Sequence, residues 1–237
     1  MNIVILGAYG GVGKSLSNDL IKENNLFIGS RDRSKIIDLI NELDKKNDNK
    51  IEGSYVDVED FKTIESFLSE ANKFLGSIDC IINCVGSLLL KPTHLTTEKD
   101  LNSTFQTNVF SCFGILKYSF KFLKNNGGSL IFFSSAASKV GLKNHECISS
   151  AKAAVSAMVL SAASTYSKYN IRINAIAPGL VDTPLTQRII NNNTSLEYSK
   201  KLHGLNRIGK PENFIPIVKA LIDDRSDWIT GQTFSID

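Results

Sequence analysis

The residues best placed by type and spacing to do chemistry are three glycines, Gly7, Gly11 and Gly13. Glycine tolerates positive φ and lets backbone N–H groups approach a bound group closely. An apolar run, Ile3-Val4-Ile5-Leu6, leads into Gly7, and an amphipathic segment with Val12, Leu16 and Leu20 on one face follows. Strand, tight turn and helix in that order set the helix N-terminus beside the turn, with its unpaired N–H donors and partial positive charge. This is the context in which a glycine-rich turn becomes a phosphate cradle rather than an ordinary strand–helix connection. The four cysteines offer no comparable chemistry. Cys80 and Cys84 stand within a predicted strand and at its end, and no second pair at zinc-ligand spacing follows. They, Cys112 and Cys147 read as free thiols in a reducing compartment, and no metal site is expected.

The elements that must position this loop follow from hydrophobic periodicity. Apolar runs predict further strands at 26–30, 51–58, 78–84, 129–134, 171–177 and 233–236. Helical spacing predicts helices at 33–47 (Ile36, Ile40, Leu43), 60–75 (Phe61, Ile64, Leu68, Ala71, Leu75), 97–125 and 148–168. Pro211 suits the first turn of a helix running to about 222, inside which Pro216 should cost a hydrogen bond. The 179–209 segment is polar and irregular, too long for an idle connection, and reads as a substrate-covering lid. Its partly apolar residues, such as Leu185, Ile189 and Tyr198, suit a partly apolar pocket. Strict β/α alternation implies one α/β domain over 1–237: a doubly wound parallel sheet of about seven strands, with helices on both faces. Ligands then bind beyond the carboxyl ends of the strands.

Composition excludes several classes. Hydrophobic residues make up 42% and charged residues 22%, which is globular rather than disordered. The net charge of +3 is scattered with no dense Lys/Arg stripe, which argues against nucleic acid. The Lys45-Lys46 and Lys200-Lys201 pairs read as solvated surface. The first strand starts at Met1, so no signal peptide is expected, and no apolar run approaches a membrane span. With the free thiols this points to the cytoplasm, and gives the sequon Asn192-Asn193-Thr194 little weight.

With these residues placed, the chain resembles the short-chain dehydrogenase/reductase family over essentially its whole length. Gly7-Ala8-Tyr9-Gly10-Gly11-Val12-Gly13 is similar to the family's G-x-x-x-G-x-G loop, with Leu6 where Thr is usual. Asp57-Val58 falls where the family's Asp binds the adenine amino group, at the end of the third predicted strand. Asn83-Cys84-Val85-Gly86 resembles the N-N-A-G motif, and Asn108 falls where the long helix carries the active-site Asn. Pro178-Gly179-Leu180-Val181-Asp182-Thr183 resembles P-G-x-x-x-T, whose Thr touches the nicotinamide carboxamide. Arg207 to Glu212 and Ile229 to Gln232 resemble C-terminal signatures. The resemblance implies a Rossmann-type fold and a dinucleotide held by these motifs. It also implies association into a homodimer or homotetramer through the helices at about 101–125 and 148–168.

The form of the dinucleotide is read at the end of the second strand. A carboxylate there would hydrogen-bond the ribose hydroxyls and favour NAD(H). Here Ser30 stands at that position and Arg31 follows. Small Ser30 leaves room and a hydroxyl, Arg31 can pair with a 2′-phosphate, and Arg33 can assist, so NADP(H) is favoured over NAD(H). The competing readings are that Asp32 takes the ribose, or that the arginines are surface charge.

In the family, a Ser polarises the substrate carbonyl, a Tyr donates the proton, and a Lys four residues later holds the nicotinamide ribose. Lys152 matches the Lys and Ser135 the Ser, with Ser134 the fallback. The Tyr position is Ile148, which cannot donate a proton. Losing a positioned general acid costs about 10²–10⁴ in rate. His145, seven residues before Lys152, is a substitute donor, because enoyl-reductase relatives carry a Tyr at that separation; its bland reading is a surface loop histidine. Glu146, Cys147, Ser149, or water held by Asn108 and Lys152 are weaker options. Three readings stand: an NADPH-dependent reductase of a small-molecule carbonyl or similar group, a catalytically silent NADP(H)-binding sensor or partner subunit, and non-redox chemistry on the same scaffold.

Overall fold

The computed structural model describes residues 1–44 and 48–237. Seven strands form one parallel sheet: β1 (Asn2–Leu6), β2 (Asn25–Ser30), β3 (Ile51–Tyr55), β4 (Cys80–Asn83), β5 (Gly128–Phe133), β6 (Ile171–Pro178) and β7 (Thr233–Ile236). Their spatial order is β3-β2-β1-β4-β5-β6-β7, doubly wound as expected. The helices between them are α1 (Gly11–Leu20), α2 (Arg33–Asp44), α3 (Phe61–Leu75), α4 (Glu98–Phe105), α5 (Ser111–Leu123), α6 (Glu146–Tyr166), α7 (Gln187–Ile190), α8 (Asn193–Leu202) and α9 (Ile215–Ile222).

Strands covered on both faces read as unbroken apolar runs. In β1, Val4 and Leu6 point into a core shared with α3, α5 and α6, around Phe67 and Phe132. Ile3 and Ile5 point into the opposite core, shared with α1, α2 and α9, around Leu16, Leu20 and Phe214. Register brings the strand ends level: Leu6 pairs with Gly29 and Asn83, Asn83 with Phe132, and Phe133 with Ile176.

Several expectations are corrected. β3 stops at Tyr55, so Asp57 and Val58 stand in the turn before α3 rather than on the strand. The Thr63 hydroxyl accepts the Asp57 N–H (3.1 Å) and the Asp57 carboxylate accepts the Glu59 N–H (3.1 Å), bonds that turn the chain out of the sheet. The 33–47 helix is seen as Arg33–Asp44; residues 45–47, with the Lys45-Lys46 pair, lie outside the described residues. The 97–125 helix is broken between α4 and α5 by a π-helical turn, Gln106–Phe110. Pro216 is not in a helix interior. A 3-10 turn, Pro211–Phe214, precedes α9, and Pro216 sits in the first turn of α9, where a helix leaves N–H groups unpaired anyway. The 179–209 segment is not irregular: it holds a 3-10 turn (Pro184–Thr186), α7 and α8, the last capped by the Asn192 side chain on the Ser195 N–H at 2.9 Å. One apolar stretch does reach membrane-spanning length: Glu146–Tyr169, 24 residues, half of it buried. Its buried residues Val155, Val159, Ala162 and Ala163 pack on the sheet, so here it is a core helix.

Candidate active site

The glycine loop opens at the carboxyl end of β1. Gly7 has φ +75°, and a Cβ there would lie 2.9 Å from Val85 Cγ2. Its N–H donates to the Gly29 carbonyl at 2.9 Å, tying the loop to β2. Helix α1 starts at Gly11 after Gly10, with no side-chain cap and no acidic residue in its first turn among the described residues. The leading N–H groups of Gly11, Val12 and Gly13 are thus left for an anion. A Cβ on Gly11 would meet Thr183 Cγ2 at 2.6 Å, so this loop and the Pro178–Thr183 loop touch. Both observations fit a dinucleotide pyrophosphate.

The other cofactor candidates fall along the same sheet edge. Buried Asn83 accepts the Val85 N–H on Oδ1 (3.1 Å), and its amide donates toward Cys112 Sγ (3.4 Å), which shapes the turn to Gly86. Val58 is buried in the core behind Asp57. Val181 is buried and bridged to Gly209, while Pro178 and Gly179 leave β6 beside it. At the end of β2, Ser30 Oγ accepts the Asp32 N–H at 3.1 Å. The Asp32 carboxylate accepts the Ser34 hydroxyl (2.7 Å) and the Lys35 N–H (3.2 Å), and those bonds hold it below its usual range. Asp32 therefore caps α2. The Arg31 guanidinium lies 3.8 Å from Glu59, and the Lys35 ammonium lies over the Tyr9 ring, 5.2 Å from its centre.

Beyond β4, β5 and β6 lies a cavity of about 510 Å³, lined by Ser135, His145, Ile148 and Lys152 together with Val12, Gly86, Pro178 and Thr183. Lys152, only 8% exposed, is no surface lysine. Its ammonium donates to the Phe133 carbonyl at 2.8 Å, and burial pushes its pKa below the ordinary lysine range. Ile148 stands one turn earlier on α6 and presents carbon to the same cavity. The two serines after β5 separate cleanly. Ser134 Oγ is bound to the Lys152 carbonyl and to Ser156 Oγ (both 2.8 Å), which ties β5 to α6. Ser135 Oγ accepts the Ala137 N–H at 3.2 Å and keeps its own proton. His145 stands at the N-cap position of α6, its Nδ1 2.7 Å from the Lys143 carbonyl. Its loop is anchored by the Lys91 N–H on the Asn144 carbonyl at 2.9 Å.

Asn108 sits in the π-helical turn, fully buried. Such turns recur at functional sites because the extra residue re-aims a side chain. Its amide donates to Ser87 Oγ (2.8 Å) and the Thr104 carbonyl (2.9 Å), and its Oδ1 accepts the Ser87 N–H at 3.2 Å. Ser87 was not expected from the sequence, although it directly follows Asn83-Cys84-Val85-Gly86. Also unexpected was His203, which lines the cavity from the turn after α8.

A doubly wound sheet whose cavity meets a glycine loop at the strand ends is the architecture of dinucleotide-dependent oxidoreductases. A family model described as Enoyl-(Acyl carrier protein) reductase matches residues 7–237, and the chain belongs to the short-chain dehydrogenase/reductase family. It is 27% identical over 240 residues to a chloroplastic tropinone reductase homolog of Arabidopsis thaliana, covering 100% of this chain and 74% of the relative. It is 26% identical to the 3-oxoacyl-[acyl-carrier-protein] reductase FabG of Thermotoga maritima, covering 99% and 95%. Among solved structures, ElxO with NADP bound superposes with a TM-score of 0.92 at 26% identity, covering 100% of this chain and 96% of that one.

Proposed function

We propose that the protein reduces a carbonyl, or a similarly activated double bond, of a small molecule with NADPH. The observation that carries this reading is the cavity that joins Ser135, His145 and Lys152 to the loops of Gly11 and Thr183. When bound, the dinucleotide supplies the hydride. The amide groups of Gly11 to Gly13 hold its phosphates, Asn83, Gly86, Asp57 and Val58 border its adenosine and ribose, and Pro178, Gly179, Val181 and Thr183 face its nicotinamide. Lys152 holds the adjoining ribose with its ammonium. Ser135 donates a hydrogen bond through its free hydroxyl to the substrate oxygen, where negative charge develops.

His145 holds the proton that Ile148 cannot supply. With Nδ1 facing the Lys143 carbonyl, that nitrogen carries a hydrogen, and Nε2 is left as the ring nitrogen through which a proton would pass to the substrate. Asn108 acts through Ser87: its carboxamide is committed there and to Thr104, which argues against its side chain holding a catalytic water. Preference for NADP(H) is supported at Ser30, since the Asp32 carboxylate caps α2 and leaves no acid in the ribose position. Arg31, with Lys35 and Arg33 nearby, then meets a 2′-phosphate. The ElxO structure, at 26% identity, holds NADP. Leu88, Leu90, Val140 and Leu142, with Leu185 and Ile189 of the 184–206 lid, favour a substrate with an apolar body. The working assembly is a homodimer or homotetramer.

Titration with NADPH and NADH, then turnover on a carbonyl and enone panel, tests this. Binding tighter for NADPH and oxidation above buffer are expected; confirmed binding with no oxidation of any substrate class would overturn the reductase. Ile148→Tyr separates the silent reading. Turnover appearing only in that variant favours a silent binding protein, whereas turnover already present in the natural chain rules that reading out.

A further inference from the structure

His203 joins two parts of the chain that nothing in the mechanism above connects. Its Nδ1 lies 2.7 Å from the Ser199 carbonyl, one turn back on α8. Only the tautomer with hydrogen on Nδ1 satisfies that contact. Nε2 then carries a lone pair, and it accepts the Leu180 N–H at 2.9 Å. The ring also lies against Gly179: a Cβ there would overlap Nε2 and would lie 2.8 Å from Asp237 Cβ. The 179–182 backbone is also held by the Gly179 N–H on the Ile236 carbonyl (3.0 Å), by Gly209 exchanging bonds with Leu180 and Asp182 (2.8 and 2.9 Å), and by the Thr186 hydroxyl on the Val181 carbonyl. Those ties are made by peptide groups and a hydroxyl, none of which changes charge between about pH 5 and pH 8. The His203 tie exists only while the ring is neutral.

We propose that His203 is a positioning residue that latches α8 to the Pro178–Thr183 loop, and that protonation of its ring opens the latch. The consequence for catalysis rests on the reading that this loop faces the nicotinamide. One face of α8, Ser195, Tyr198, Ser199 and Leu202, lines the cavity, so release of its end loosens the cavity wall together with the loop. On protonation Nε2 becomes a donor facing another donor, the Leu180 N–H, and that bond is lost. Charged groups of both signs stand on the elements around the ring. Asp237, beyond β7, brings its Cβ to the same side of Gly179 as the ring. Asp182, in the loop, is drawn off by the Gln187 amide at 3.0 Å. On its own side stand Lys200, paired with Glu197 at 2.6 Å, Lys201 and Arg207.

The test is hydrogen exchange at the Leu180 amide, corrected for its intrinsic rate, from about pH 8 to about pH 5.5, the range in which histidine changes charge. The natural chain should lose protection roughly tenfold on acidification, the worth of one hydrogen bond. His203→Gln keeps an uncharged acceptor and should hold that protection at both ends; His203→Leu should lack it at both. NADPH affinity should weaken on acidification more in the natural chain than in His203→Gln, which cancels the ligand's own titration. A flat profile in the natural chain, or a Gln variant that follows it, would overturn the latch. Failure to bind NADPH at pH 8 while Leu180 behaves as described would instead remove the cofactor reading and leave the latch standing.

Discussion

Single side chains in this protein are legible from sequence when their role is local and obscure when it depends on a neighbour far along the chain. Lys152, Ser135 and Ile148 are fixed by spacing within one strand end and one helix, and the cavity holds all three. Ser87 is not, because its importance comes from a buried Asn108 reaching it across 21 residues. Asn108→Ala removes two bonds to Ser87 and one to Thr104, and leaves the buried Thr104 carbonyl without that partner. A loss of about 1–3 kcal/mol in urea unfolding is expected, together with slower turnover; Ser87→Ala should be milder on both counts. The buried thiols give a pH prediction. Burial lifts the Cys80 thiol far above its ordinary range. The folded state therefore keeps this proton while the unfolded chain loses it above about pH 8.5. Where the unfolded state binds fewer protons, stability falls as pH rises, by up to about 1.4 kcal/mol per pH unit for one thiol. The contribution is intact below that pH. Denaturant midpoints from about pH 8 to pH 10 should slope downward in the natural chain and less steeply in Cys80→Ala, whatever that variant's starting stability.

Among the elements, the strands were readable because burial on both faces leaves runs of Ile, Val, Leu and Phe with little else, bounded by turns. Helix interruptions were not. The periodicity over 97–125 is compatible with one continuous helix, and the π-helical turn around Asn108 adds a residue without changing composition. Helices α7 and α8 were missed for a different reason: no residue of either is buried, so their apolar pattern is too weak to stand out. Pro216 misled because its cost depends on whether it sits inside a helix or at the start of one, which one residue of context decides. Contacts between elements carry the sharper prediction. Gly11 of α1 and Thr183 of the loop after β6 approach so closely that even a methyl group intrudes, at 2.6 Å. Gly11→Ala should push the two loops apart, cost about 1–3 kcal/mol as overpacking does, and weaken NADPH binding in a titration. Leu202→Glu on α8 should instead raise KM for substrate and spare NADPH affinity, since it alters the cavity wall and not the glycine loop.

At the scale of the whole molecule, the sheet is closed over by helices on both faces, yet the outer helix surfaces are not uniformly polar. Phe110 and Phe113, about half exposed, stand with Leu101 on the outer side of the α4–α5 region, and Leu160 is 61% exposed on α6. These are the two helical regions through which family resemblance implies self-association, and exposed apolar side chains on such regions are where an interface would be sought. The chain mass is 26.0 kDa, so light scattering should return two or four times that value. Phe110→Lys with Phe113→Lys places two charges in the patch and should shift the mass toward a single chain with the fold intact by circular dichroism. Trp228, 95% exposed, is the only tryptophan in the sequence, and it reports independently. It precedes Gly231, where a Cβ would lie 3.3 Å from Ala163 Cβ of α6. An assembly that uses the α6 side should therefore shift Trp228 emission to shorter wavelength, and dilution to monomer should reverse it. Emission unchanged between a dimer and a monomer would confine the contact to the α4–α5 side. A natural chain that scatters as 26.0 kDa at every concentration would refute association altogether.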